Sequence, residues 1–132
     1  MKVYLASRWE QMPLMQLWRS ALALDGIGCT AHWIDVAASG MRAVEGDDVM
    51  RREAARDFED LREADALVCY NPKGGPDGGR GGRHAELGAA LGMGKRVVLV
   101  GARTNIMHWH PGVVVVPEDV GALVRALQGI GP

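Results

Sequence analysis

The chain has 132 residues, 48% of them apolar and 23% charged, with a formal net charge of -1. That length buries a core without staples, and the near-neutral balance excludes the basic field by which a protein holds a nucleic-acid polymer, leaving a single nucleotide as an admissible ligand. No apolar run approaches the roughly 18 residues of a membrane span, and Val3–Ala6 is followed at once by Ser7, Arg8 and Glu10 rather than by a signal-peptide core. Cys29 and Cys69 both sit in apolar runs and read as buried free thiols, so the expectation is one soluble, cytoplasmic domain over residues 1–132.

Lys2–Ala6 (KVYLA) reads as a first strand. A helix from about Trp9 to Leu24 follows, with Leu14, Met15, Trp18, Ala21 and Leu22 on one stripe, and Asp25-Gly26 ends it. Thr30–Val36 (TAHWIDV) reads as strand two and Ala37–Gly46 as loop. Asp47 or Asp48 caps a second helix whose apolar stripe is Met50, Ala54, Phe58 and Leu61. Ala66–Tyr70 is a continuous apolar run, as in a strand covered on both faces. The glycine- and proline-rich segment Asn71–Gly82 is a loop. After it come a helix from about Arg83 to Met93, a strand at Arg96–Val100, a loop over Thr104–Gly112, a strand at Val113–Val116 and a helix at Glu118–Leu127.

This alternation predicts an α/β three-layer sandwich, flavodoxin-like or Rossmann-like, with a five-stranded, mostly parallel sheet in the order 2-1-3-4-5. Ligands of such sheets bind beyond the carboxyl ends of the strands, at the switch in strand order. That places a site between Ser7–Trp9 and the loop Asn71–Gly82.

Within that site the glycine-rich loop suits an anion, because it runs into a helix N-terminus. Gly78–Gly82 does not fit the dinucleotide fingerprint, and Gly94-Lys95 is not a P-loop, since Ala89 stands where its first glycine belongs and Arg96 where Ser or Thr belongs. Glu86 falls in the first turn of the third helix, facing the crevice, where helix amides keep a carboxylate ionised. An acid in a first turn also serves helix stability alone. Asp57 adjoins the inward stripe of helix two, whereas Glu53, Glu59 and Asp60 read as solvated. Tyr4 reads as core whose hydroxyl reaches a ligand only near the strand's end. His108 and His110 alternate, but no cysteine or carboxylate lies at ligand spacing, and His32 and His84 stand alone in the sequence; no metal is expected. Ser7-Arg8-Trp9 lacks the Ser/Thr-rich phosphate loop of a flavin binder, so no flavin and no other cofactor is expected.

Four segments together resemble the nucleoside 2-deoxyribosyltransferase superfamily, which includes the 2'-deoxynucleoside 5'-monophosphate N-hydrolases. They are Val3–Trp9 with its site tyrosine, Asp57–Asp65 (DFEDLREAD), Gly82–Gly88 (GRHAELG) and Asn105-Ile106-Met107. The resemblance implies that Glu86 is the nucleophile, that Asp57 orients it or handles the proton of the leaving base, and that Tyr4 holds it. It further implies a substrate contacted by Ser7, Arg8, Trp9, Asp77, Arg80, Gly82 and Asn105, with Asn105 reaching a neighbouring subunit's site in a homodimer or larger homo-oligomer.

The implied reaction passes the deoxyribosyl group of a small deoxynucleoside or deoxynucleotide, through a glycosyl-Glu86 intermediate, to another base or to water. Arg80 stands where transferases carry an acid for the base and where monophosphate hydrolases carry a phosphate-binding serine. Arg80 and Arg8 suit a phosphate, and Asp77 offers the substitute acid. The tail Gly129–Pro132 is short beside the site-completing tail of the transferases. Purine against pyrimidine stays open. The alternative to an enzyme is a catalytically inactive nucleotide-binding or sensing module of the same fold.

Overall fold

The computed structural model describes residues 1–35, 46–74 and 81–129. Five strands form one sheet: β1 (Lys2–Ala6), β2 (Gly28–Cys29), β3 (Ala66–Asn71), β4 (Arg96–Gly101) and β5 (Val113–Val116). Their order is β2-β1-β3-β4-β5 and every pairing is parallel. Helices α1 (Met12–Leu24), α2 (Asp47–Glu63), α3 (Gly82–Gly92) and α4 (Val120–Leu127) connect or follow the strands, the expected consequence of parallel pairing, which needs a crossover between neighbours. β3 is buried along its whole length, and Val97–Val100 of β4 are buried too. Apolar runs without alternation therefore mark the strands covered on both faces. Among the described residues no helix is long and apolar enough to cross a membrane. Both cysteines are free thiols, Cys69 fully buried.

Two expectations are corrected. Strand two is only Gly28–Cys29, ahead of Thr30–Val36, and His32–Asp35 forms a 3-10 turn. The apolar residues of that run are buried without a ladder: Trp33 and Ile34 are in the core. The Trp33 indole donates to the carbonyl of Leu5 at 2.8 Å, and the His32 amide donates to Asp60 at 3.0 Å. Side-chain bonds thus take the place of backbone pairing. Val36, most of the loop Ala37–Gly46 and the end of the tail lie outside the described residues.

The second correction concerns α2, whose N-cap is Gly46 with no side-chain bond, Asp47 and Asp48 lying in its first turn instead of capping it, and whose inward face differs from the one expected. Phe58 is 41% exposed and Met50 is exposed as well, while Asp60 is only 6% exposed and Glu53 and Asp57 are half-buried. The inward face therefore runs Glu53, Asp57, Asp60 and Leu61, at the three- and four-residue steps of a helix. Phe58 instead carries the Arg62 guanidinium 5.4 Å above its ring. His32 explains the polar face. Its Nδ1 lies 2.5 Å from an Asp60 oxygen and its Nε2 lies 3.0 Å from Glu53. Thr30 adds a 2.6 Å bond to the Asp60 carbonyl, and Arg56 stands 3.6 Å from the Asp60 carboxylate. Glu53 and Asp60, two of the three acids that read as solvated, clamp α2 to the segment after β2, while Glu59 is exposed as expected.

Candidate active site

Tyr4, at the centre of β1, is fully buried, and its hydroxyl donates to Glu86 Oε2. Glu86 comes from α3, but as the fifth residue of the helix it lies beyond the first turn in which it was expected, because α3 already begins at Gly82. Gly81 precedes the helix in the left-handed region at φ 79°, a conformation that favours glycine. Burial raises the Tyr4 hydroxyl well above the usual tyrosine range, and the charges of Glu86, Asp57 and Asp60 add to it. Tyr4 is therefore a fixed donor, and the carboxylates of α2 and α3 converge around it from two sides. Three residues distant in sequence, Tyr4, Asp57 and Glu86, thus lie close to one another.

The other expected site residues are distributed as follows. The Ser7 hydroxyl donates to the Arg8 carbonyl at 3.0 Å. Arg8 is mostly buried, with its Nε 3.8 Å from Glu10. The Trp9 ring is tilted against Trp33 with 6.1 Å between centroids. Gly82 is the first residue of α3. Asn105 caps the 3-10 turn Ile106–Trp109 of its own chain, its side-chain oxygen accepting from the Met107 amide at 2.9 Å. Asp77 and Arg80 lie outside the described residues.

A second cluster, which periodicity did not single out, surrounds the start of α3. Asn71, the last residue of β3, is buried and its amide is fully committed. Its nitrogen donates to Ala102 O at 2.7 Å and to Thr104 Oγ1 at 2.8 Å, and its oxygen accepts from Arg83 Nε at 3.2 Å. Gly101 permits this approach: its φ is 114°, and a Cβ there would fall 2.1 Å from the Asn71 carbonyl oxygen. Arg83 is only 7% exposed. Beside it, His108 is fully buried; its Nδ1 accepts from the amides of Thr104 (3.0 Å) and Asn105 (3.3 Å). Nε2 therefore carries the proton and donates to His84 Nδ1 at 3.1 Å. Burial, then the neighbouring His84, Arg83 and Arg103, hold His108 down at about 4. Neither histidine of this pair stands alone, and neither does His32. One sequence signal pointed here: Arg83 is a cation in a first helical turn, against the helix dipole.

His32, Asp57 and Asp60 bring metal-ligand atoms within 4.8 Å of one another, the one such grouping among the described residues. Both His32 nitrogens already face carboxylates and Arg56 shares Asp60, so hydrogen bonds to the ring and the Arg56 pair account for the arrangement.

Two solved structures share this fold. A 2-deoxyribosyltransferase from Bacillus psychrosaccharolyticus matches with a TM-score of 0.72 over 94% of this chain and 90% of that one, at 19% identity. The CMP N-glycosidase BcmB of Clostridium botulinum matches with a TM-score of 0.57 over 97% of this chain and 98% of that one, at 18% identity. No protein-family model matches the sequence, and no curated protein does.

Proposed function

We propose that this chain cleaves the N-glycosidic bond of a 2'-deoxyribonucleoside or its 5'-monophosphate, with Glu86 as the nucleophile. The observation that carries the proposal is the bond from the buried Tyr4 hydroxyl to Glu86, with Asp57 facing the same place. A buried donor that stays protonated fixes the carboxylate's orientation without neutralising it, as a nucleophile requires. The two structural neighbours, a deoxyribosyltransferase and a CMP N-glycosidase, support the same bond class.

In the proposed reaction a Glu86 oxygen attacks C1' while the C1'–N bond breaks, its electron pair leaving with the base. Asp57, or a water it orients, governs the proton that the departing base takes up. Water or a second base then attacks C1' from the opposite face and expels Glu86, so the configuration is retained. Ser7, Arg8, Trp9, Gly82, Asp77, Arg80 and Asn105 are proposed to contact the substrate, with Asn105 acting across a homo-oligomer interface.

The test incubates the protein with each deoxynucleoside and each 5'-monophosphate, CMP included, with and without a free acceptor base, and resolves the bases by chromatography. Exchange products identify a transferase and free base alone a hydrolase. Glu86→Ala is expected to abolish either. No turnover on the whole panel, or an active Glu86→Ala variant, overturns the assignment and leaves the nucleotide-binding module as the reading.

A further inference from the structure

We propose that His32 is the positioning residue for Asp57. By holding the acids on either side of it, Glu53 and Asp60, and by standing on a segment fastened to β1, it sets the Asp57 carboxylate against Tyr4 and Glu86. The role in turnover rests on the glycosidic-bond reading above; the placement of Asp57 does not.

Glu53, Asp57 and Asp60 follow one another on α2 at steps of four and three residues and so share one face. That face turns inward, with Asp60 buried and the other two half-buried. Like charges at this spacing repel, the more so out of water. An inward acidic face therefore needs a group that opposes the repulsion, and His32 is placed to do so. Its Nδ1 meets Asp60 at 2.5 Å and its Nε2 meets Glu53 at 3.0 Å. Each contact holds a proton, since two lone pairs do not approach so closely. The ring thus bridges the acids one turn to either side of Asp57. A His32 nitrogen, an Asp57 oxygen and an Asp60 oxygen lie within 4.8 Å of one another. Swinging along the helix in either direction brings Asp57 toward a carboxylate already held in place.

The ring itself is anchored. The Thr30 amide donates to the Val3 carbonyl at 2.9 Å, and the Trp33 indole donates to the Leu5 carbonyl at 2.8 Å. Val3 and Leu5 flank Tyr4 on β1. The segment that carries His32 is therefore fastened on both sides of Tyr4, as the ring is fastened on both sides of Asp57. Asp60 is tied down further by the Thr30 hydroxyl at its carbonyl and the His32 amide at its carboxylate. The charges of Asp57, Asp60 and Glu86 all reach the Tyr4 hydroxyl, as expected of one site. A single short segment thus sets the spacing between the donor that holds Glu86 and the acid that governs the leaving base's proton. Chemistry of this kind depends on such spacings at the ångström scale. His32 requires no contact with substrate for this; it acts through Asp57.

The experiment compares wild type with His32→Ala and His32→Asn on a substrate of the panel that turns over. It repeats the comparison on an analogue whose base departs without a proton, a purine methylated at N7 or a pyrimidine bearing a 5-nitro group. His32→Ala should lower kcat on the ordinary substrate about 10- to 100-fold, a part of what general acid catalysis supplies. KM should change less than about threefold, because binding is not what is lost. The analogue should lose less than about threefold, since its base has no need of the acid. His32→Asn keeps a donor toward Asp60 and should recover part of the loss. Equal losses on the two substrates, or none, overturn the role, because a general loosening of the fold does not distinguish leaving groups. Crystal structures of wild type and His32→Ala locate Asp57 without regard to turnover, with Glu53→Ala taking the variant's place should His32→Ala not fold. A carboxylate displaced from the Tyr4 hydroxyl relative to wild type is expected, and an unmoved one overturns the proposal. If Asp57 moves but wild type cleaves nothing on the panel, the positioning stands and the catalytic reading fails.

Discussion

Tyr4 does two things at once. Its ring fills the centre of the sheet, and its hydroxyl reaches Glu86. Tyr4→Phe separates these roles, because the ring stays and the donor goes. Turnover is expected to fall about 10- to 100-fold, the scale of one hydrogen bond to a charged group, with the melting temperature nearly unchanged. Initial rates and thermal melts on the same samples check it, and unaltered turnover would remove Tyr4 from the proposed mechanism. At this scale the sequence is only partly informative. Tyr4 in KVYLA reads as core, which it is. Its second role depends on a glutamate 82 positions away, and no local pattern reports such a contact. Arg83 and Asn71 were missed for the same reason.

At the scale of elements, the apolar runs of β1, β3 and β4 were legible because burial on both faces leaves a simple signature, and β5 by its four valines although Val114 is exposed. α2 was legible as a helix but not in its orientation. Apolar periodicity assumes that a helix shows its greasy side to the core, and α2 faces Glu53, Asp57 and Asp60 inward because His32, Tyr4 and the site lie there. The two orientations differ in consequence. Phe58→Ser should cost no more than about 1 kcal/mol, as for other exposed positions, although the residue is aromatic. Asp60→Ala should cost about 2 kcal/mol or more, since it strands the His32 amide and ring. Urea unfolding of the two variants checks the ranking, and the reverse order would mean that α2 packs by its apolar stripe after all. β2 was misplaced because Trp33 and Ile34 supply the apolar, β-branched content of a strand while lying in a turn.

For the whole molecule, a net charge of -1 gives little global self-repulsion, so individual buried groups dominate the response to pH. His108 is the clearest of these. Its ordinary value is 6.5 and the folded protein holds it at about 4, so between those values the unfolded chain binds a proton that the folded one refuses. Stability from this residue is complete above about pH 6.5, declines as the pH falls toward 4, and levels off below that. The linkage amounts to about 3 kcal/mol. His108→Gln should remove that part of the slope. Unfolding free energies measured at pH 7.5, 5.5 and 4.5 check it, and parallel curves for the two proteins would contradict it.

The register of the sheet also bears on how the molecule is made. β1 is made before the other four strands and lies inside the sheet, but its main partner is β3: Val3 pairs with Ala66, about sixty residues later. The short β2 offers it only two positions. A nascent chain therefore carries an apolar strand with both edges largely open until the second crossover has been synthesised, and chain closure over such a span is slow. Tyr4 likewise waits for Glu86. The growing polypeptide cannot form the contact between Tyr4 and Glu86 until α3 has emerged, so that contact and the shielding of β1 arrive together, late in synthesis.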